Sequence, residues 1–195
     1  FKGQDQEQAE AMSFLGGAFV TALFAMTLIL ITQFNSFYQA GLVMSAIVFS
    51  TAGVFLGLLL TSQPFGIVMG GIGVIALAGI VVNNNIVLID TFNGMRANGM
   101  PAQEAVVRTA LQRMRPVLLT SVTTVLGLLP MVFGLTIKLF EMEVLVGAPS
   151  SQWWTQLSST IAGGMTFATI LTLFLTPCLL MLRENLRRSN RVAEQ

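Results

Sequence analysis

From Phe65 to Ile89 no residue carries a charge, and Asp90 is the first that does. A run this long and apolar leaves a chain few options. A membrane-spanning helix needs about 20 predominantly apolar residues, and this stretch supplies them with glycines to spare. It also holds three consecutive asparagines, Asn83, Asn84 and Asn85. Polar side chains inside a span are costly, so their presence there raises a functional hypothesis.

The rest of the chain reads as the housing for this helix. Of 195 residues, 54% are hydrophobic and only 10% charged, against about 25% charged in ordinary soluble domains. Too little polar surface is left for a soluble fold, so this is a membrane protein. A net charge of +1 gives no reason to expect nucleic acid as a partner. With a single cysteine, Cys178, and no histidine, intrachain disulfides are excluded and the usual soft-metal ligand sets are missing. No cofactor or metal is expected. No Ser/His/Asp or Cys/His constellation and no phosphate loop is found, so enzyme chemistry is not expected either. The chain begins at Phe1 rather than Met, with no signal peptide before its first apolar run. It is expected to be a piece of a longer polypeptide, processed or excerpted.

Five spans are predicted, at about 11–32, 40–62, 65–89, 116–137 and 159–182. Residues 1–10 are polar and read as the end of a preceding segment. Phe34, Phe37 and Tyr38 suit a membrane interface between the first two spans. Between the third and fourth spans, Val107, Ala110, Leu111 and Met114 recur at helical spacing. They predict a short interfacial helix at about 101–114 lying on the membrane, with Pro116 starting the fourth span. Lys138–Ser158, with Trp153 and Trp154, is expected to be a loop, and residues 183–195 a basic tail. Gly53-x-x-x-Gly57 and Gly66-x-x-x-Gly70 are small-residue pairs that let helix backbones approach.

Orientation follows from lysine and arginine. Arg96, Arg108, Arg113 and Arg115 lie between spans three and four, and Arg183, Arg187, Arg188 and Arg191 lie after span five. With five spans these eight share one side, and only Lys2 and Lys138 fall on the other. The asymmetry is a positive-inside signal. It puts the amino end outside and the carboxyl end in the cytoplasm.

Spans three and four invite a pairing. At 1.5 Å per residue, Asn83 lies about 10 Å from Asp90, and Thr120 about 7 Å above Arg115. Asn83 and Asp90, seven apart, share a helical face; so do Arg113, Thr120 and Thr124. The depths match, predicting Asn83 opposite Thr120 and Asp90 near Arg113. Consecutive residues point about 100° apart, so the three asparagines cannot all face one partner. Such a seam is either interhelical glue or a path for water and protons.

The stretches QFNSFYQ, GIVVNNNIVLID and RMRPVLLTSVTTVLGLLPM, in this order and separation, resemble the carboxyl-terminal membrane region of resistance–nodulation–cell division (RND) transporters, multidrug type. The resemblance covers about Phe1 to Leu182 and implies helices eight to twelve of twelve, starting just after the second large periplasmic domain. In that family a proton relay pairs two aspartates on the fourth helix with a lysine on the tenth and with an arginine and a threonine on the eleventh. Arg113 resembles that arginine and Thr120 that threonine. Asn83 stands where the family has lysine, so either it serves by hydrogen bonding alone, as in an asparagine-containing branch, or the relay chemistry is altered; Asn85 stands where a small apolar residue is usual. The aspartate pair and the drug-binding domains are not in this chain, so transport is incomplete within it.

The expected fold is therefore all-α: a polytopic bundle of five transmembrane helices with a short cytoplasmic interfacial helix. The expected function is the membrane part of a proton-driven multidrug exporter of the bacterial inner membrane. The proton-coupling residues would be Asn83, Asn84, Arg113 and Thr120, supported by Asp90 and Thr124. The resemblance implies the rest of the same transporter as partner, a homotrimer, a periplasmic adaptor, an outer-membrane channel and membrane lipid. The alternatives are a non-transporting scaffold or remnant, or an RND relative that moves lipid or assists protein export.

Overall fold

The computed structural model describes residues 2–138, 143–146 and 151–193. Five long helices and a small hairpin make up the fold: α1 (Lys2–Phe34), α2 (Phe37–Leu60), α3 (Ile67–Ala97), α4 (Ala102–Val132), β1 (Leu135–Lys138), β2 (Glu143–Val146) and α5 (Ser151–Ala193). All five helices are long and apolar enough to cross a membrane.

Turn chemistry explains where the helices stop. Asn35, with φ +46°, makes the sharp exit from α1, a left-handed conformation that asparagine tolerates better than most residues. Ser36 then caps α2 by accepting from the Gln39 amide. At the other end, the Gln63 and Ser62 amides donate to the Leu58 and Leu59 carbonyls. This closes a Schellman turn with Ser62 in the left-handed region, and Pro64 follows. The same pair of bonds ends α3, from Met100 to Met95 and from Gly99 to Arg96, with Gly99 at φ +82°.

Helix α5 lies at the centre, against α2, α3 and α4. It meets α2 at glycines: a Cβ on Gly57 would press on the Gly163 Cα, and one on Gly53 on the Phe167 ring. The Gly53/Gly57 pair thus does what its spacing predicts, and its partner surface is on α5. Against α3, Gly73 receives Thr160, and Leu77 fills the space over Gly164. Two apolar clusters complete the interior. One joins Leu30, Val43, Ile47, Ile89, Phe92 and Leu180, and the other Val54, Leu58, Leu77, Val81 and Met165. Phe14, Phe24, Leu59 and Phe174 face outward, so the exterior is as oily as the core. That suits lipid or further helices, not water.

Three expectations are corrected. The interfacial helix at 101–114 is not a separate element, because α4 runs unbroken through Pro116. Proline removes one intrahelical bond, but Ala105, Val106 and Thr109 are buried against neighbouring helices and hold the preceding turns in line. Val107, Leu111 and Met114, the face expected to bind the membrane, are exposed. Second, Lys138–Ser158 is not simply a loop. Antiparallel pairing of Leu135 with Val146 and of Lys138 with Glu143 makes a hairpin, and Trp153 and Trp154 already belong to α5; positions 139–142 and 147–150 lie outside the described residues. Third, the basic tail continues α5 as helix as far as Ala193.

Candidate functional site

Polar groups in the membrane-crossing region fall into two sets, one turned inward and one outward. The inward set is centred on Asn85, which is fully buried. Its Nδ2 donates to the Val81 carbonyl at 3.0 Å and to Thr172 Oγ1 at 3.2 Å. Its Oδ1 accepts from Thr176 Oγ1 at 2.8 Å. Thr172 and Thr176 are themselves buried, four residues apart and hence on one face of α5. A second knot lies on the same helix, where Ser121 Oγ and Thr169 Oγ1 are 2.6 Å apart. Each also lies within hydrogen-bond distance of its own helix's carbonyl, Val117 and Met165. With one hydroxyl proton each, only one of the two can donate to the other. In a low-dielectric interior such satisfied pairs stabilise the bundle, whereas a single orphaned member would cost about 1–3 kcal/mol.

The outward set contains most of the residues singled out from the sequence. Asn83 and Asp90 are exposed, and Asn84 is half-buried on the flank of α3. On α4, Thr120 is exposed and Thr124 half-exposed. Their hydroxyls donate to the carbonyls of Val117 and Thr120, within the helix. Arg113 Nε donates to Thr91 Oγ1 at 2.7 Å, and Thr91 donates onward to the Val87 carbonyl.

The expected pairing is therefore corrected. Asn83 and Thr120 do not bond each other, and Arg113 reaches Thr91, the neighbour of Asp90, rather than Asp90 itself. The cause is the position of α5. Helices α3 and α4 touch near their Arg-rich ends, where Thr109 also approaches Met95 Sδ. At the level of Thr120, α4 instead turns Ser121 onto α5. Asn85 and the hydroxyls of α5 were missed. The available signal was Thr169, Thr172 and Thr176, recurring at spacings of three and four along one apolar span.

Asn83 sits near the middle of α3, where an uncovered amide does not face hydrocarbon without cost, and Thr120 near the middle of α4, its hydroxyl satisfied within the helix. This outward face and the order of the helices can be set against known proteins. Residues 1–184 match the family described as AcrB/AcrD/AcrF.

The chain belongs to the AcrB/AcrD/AcrF family.

It is thus a multi-pass membrane segment of the RND efflux transporter type. The multidrug resistance protein MdtC of Erwinia amylovora is 30% identical over 173 residues, covering 88% of this chain and 16% of that protein. The swarming motility protein SwrC of Bacillus subtilis is 28% identical over 193 residues, covering 99% of this chain and 17% of that protein. Among solved structures, a heavy metal efflux pump superposes with a TM-score of 0.77 at 32% identity, covering 94% of this chain and 17% of the pump. The chain therefore spans about a sixth of the length of the family members it matches.

Proposed function

We propose that this chain is the carboxyl-terminal membrane part of a proton-driven RND exporter and supplies one wall of its proton-coupling seam. The observation that carries this reading is a set of outward polar groups within two crossing helices: exposed Asn83 and half-buried Asn84 on α3, Thr120 and Thr124 on α4, with Arg113 and Asp90 toward the Arg-rich end. Such a face is covered by protein or water in the assembled transporter, not by lipid. Its coverings are helices outside this chain that carry acidic proton carriers. With Asn83 where the family has lysine, the α3 side contributes hydrogen bonds and no titrating cation. Protonation of the facing carboxylates changes the charge opposite Asn83 and Thr120 and biases two discrete helix arrangements. Arg113, held by Thr91, keeps a fixed positive charge at the entrance of that path.

The amino end is periplasmic and the carboxyl end cytoplasmic, in the bacterial inner membrane, as the eight arginines on one side direct. The assembled partners are the remaining helices and periplasmic domains of the same protein, a homotrimer of it, a periplasmic adaptor and an outer-membrane channel. Amphiphilic drugs are the proposed cargo, following the MdtC relatives.

In the full-length protein, Thr120→Val and Arg113→Ala are each expected to cut proton-driven efflux of a fluorescent amphiphile by about tenfold, within the usual range of a coupling free energy. Membrane insertion should be unchanged. Efflux at the normal rate from both variants would return these residues to a structural role.

A further inference from the structure

At the Arg-rich end of the bundle, a cavity of about 250 Å³ opens between α2, α3 and α5. Its walls are rich in hydrogen-bond donors and poor in acceptors. Gln39 and Asn93 form the back. Each side-chain amide donates to the other's oxygen, at 2.7 and 3.1 Å, which leaves each NH₂ one further N–H and each oxygen one further lone pair. Arg96 and Arg183 stand at the sides. Arg96 donates to the Met100 carbonyl at 2.8 Å and lies 3.4 Å from Glu184. Arg183 is held with its guanidinium carbon 4.9 Å above the Tyr38 ring, and Tyr38 is pinned by donating to the Leu179 carbonyl at 2.7 Å. Among the described residues, the Arg183 guanidinium has no carboxylate or other acceptor in reach. Two cations face one carboxylate, so the wall carries a net positive charge. Such a wall is complementary to an anion with several oxygens.

The position tells which anion. Gln39 belongs to the first turn of α2 and Arg96 to the last turn of α3, while Arg183 directly follows the apolar run Leu179–Leu182. The cavity thus sits where three helices leave the membrane. Buried Phe92 and Leu180 line it beside these polar groups. An anion held at this level lies at the membrane surface, where anionic phospholipids present their head groups to basic pockets between helices.

We propose that this cavity holds the phosphate of an anionic phospholipid. Arg183 and Arg96 bind the head group, beside the free amide N–H groups of Gln39 and Asn93. The Arg96–Glu184 pair is the competitor: a bound phosphate takes over part of Arg96. The inference rests on the membrane-crossing arrangement above and not on the coupling seam or the cargo.

The test is native mass spectrometry of the full-length transporter with phosphatidylglycerol and with phosphatidylcholine of the same acyl chains, with thermal melting of each variant as the folding control. Phosphatidylglycerol should be retained over phosphatidylcholine by the wild type. Arg183→Gln should weaken that retention about fivefold, as expected for one arginine at an anionic membrane surface, and Glu184→Gln should strengthen it severalfold by freeing Arg96. Equal retention of the two lipids would overturn the proposal. So would an Arg183→Gln protein that melts normally and still holds phosphatidylglycerol, or a Glu184→Gln protein that holds less of it. Displacement of the lipid by an equal concentration of inorganic phosphate would assign the cavity to a soluble anion instead. Normal efflux from Thr120→Val would overturn the coupling role and leave this result untouched, so the two readings fail separately.

Discussion

Helices α2, α3 and α5 on one hand, and α1 and α4 on the other, solve the same problem differently. Half of the crossing window of α2 is buried, against 11% for α4 and 6% for α1. The first three interlock at Gly57, Gly163 and Gly73, and the asparagine buried among them is satisfied by α5 threonines. The other two turn phenylalanines, leucines and, on α4, threonines outward. In lipid there is little hydrophobic drive between helices, so close backbone approach and interhelical hydrogen bonds decide which ones associate. The lesson is that a polar residue here has two meanings. Asn85, turned inward and saturated, is glue. Asn83, two residues away, is turned outward, and in the proposed function it is the contact for a further helix.

The sharpest way to break this comparison is at the glycines. Gly57→Leu should cost more than about 3 kcal/mol, because backbone rather than a movable side chain blocks the space, and should abolish the cooperative melt of the purified protein. Gly79, with nothing within 4 Å of an added Cβ, should accept alanine with no loss in the same melt. Next comes the asparagine pair. Asn85→Leu should lower stability by about 1–3 kcal/mol, since it strands buried hydroxyls. Asn83→Leu should leave the melting temperature alone and reduce efflux. Identical melts for the two variants would erase the distinction between inward and outward polar groups. Ser121→Ala removes one member of the α4–α5 hydroxyl pair but leaves Thr169 its bond to the Met165 carbonyl, so it should cost only about 0.6 kcal/mol, read as a small downward shift in melting temperature. The smallest effect is expected at the partly exposed Arg96–Glu184 pair. There Glu184→Gln should change stability by less than about 1 kcal/mol, even as lipid retention changes.

Much of the fold was legible in the sequence. Charge-free runs between polar turns predict five crossings, and the Gly53/Gly57 spacing marks a real helix contact. Element ends were less legible, because apolar runs report where lipid is, not where a helix stops. Helix α4 begins at Ala102 and α5 at Ser151, beyond the oily stretch. Within the site, helical geometry showed that three consecutive asparagines must diverge. It did not say which one faces inward, because that depends on α5, and Thr172 is 87 residues away from Asn85. Matching depth along α3 and α4 brought Arg113 to α3, one residue from its expected partner. It failed for Asn83 and Thr120, because depth carries no information about rotation about the helix axis.

The central claim is that the face bearing Asn83 and Thr120 is covered in the working transporter. Spin labels at Asn83→Cys and Thr120→Cys, in a full-length Cys178→Ser background, report it through their collision rates with oxygen and with a water-soluble nickel complex. The account predicts oxygen accessibility well below that of a lipid-chain label at the same depth. Accessibility equal to the lipid label at both sites would show that the face meets hydrocarbon, and would contradict the account.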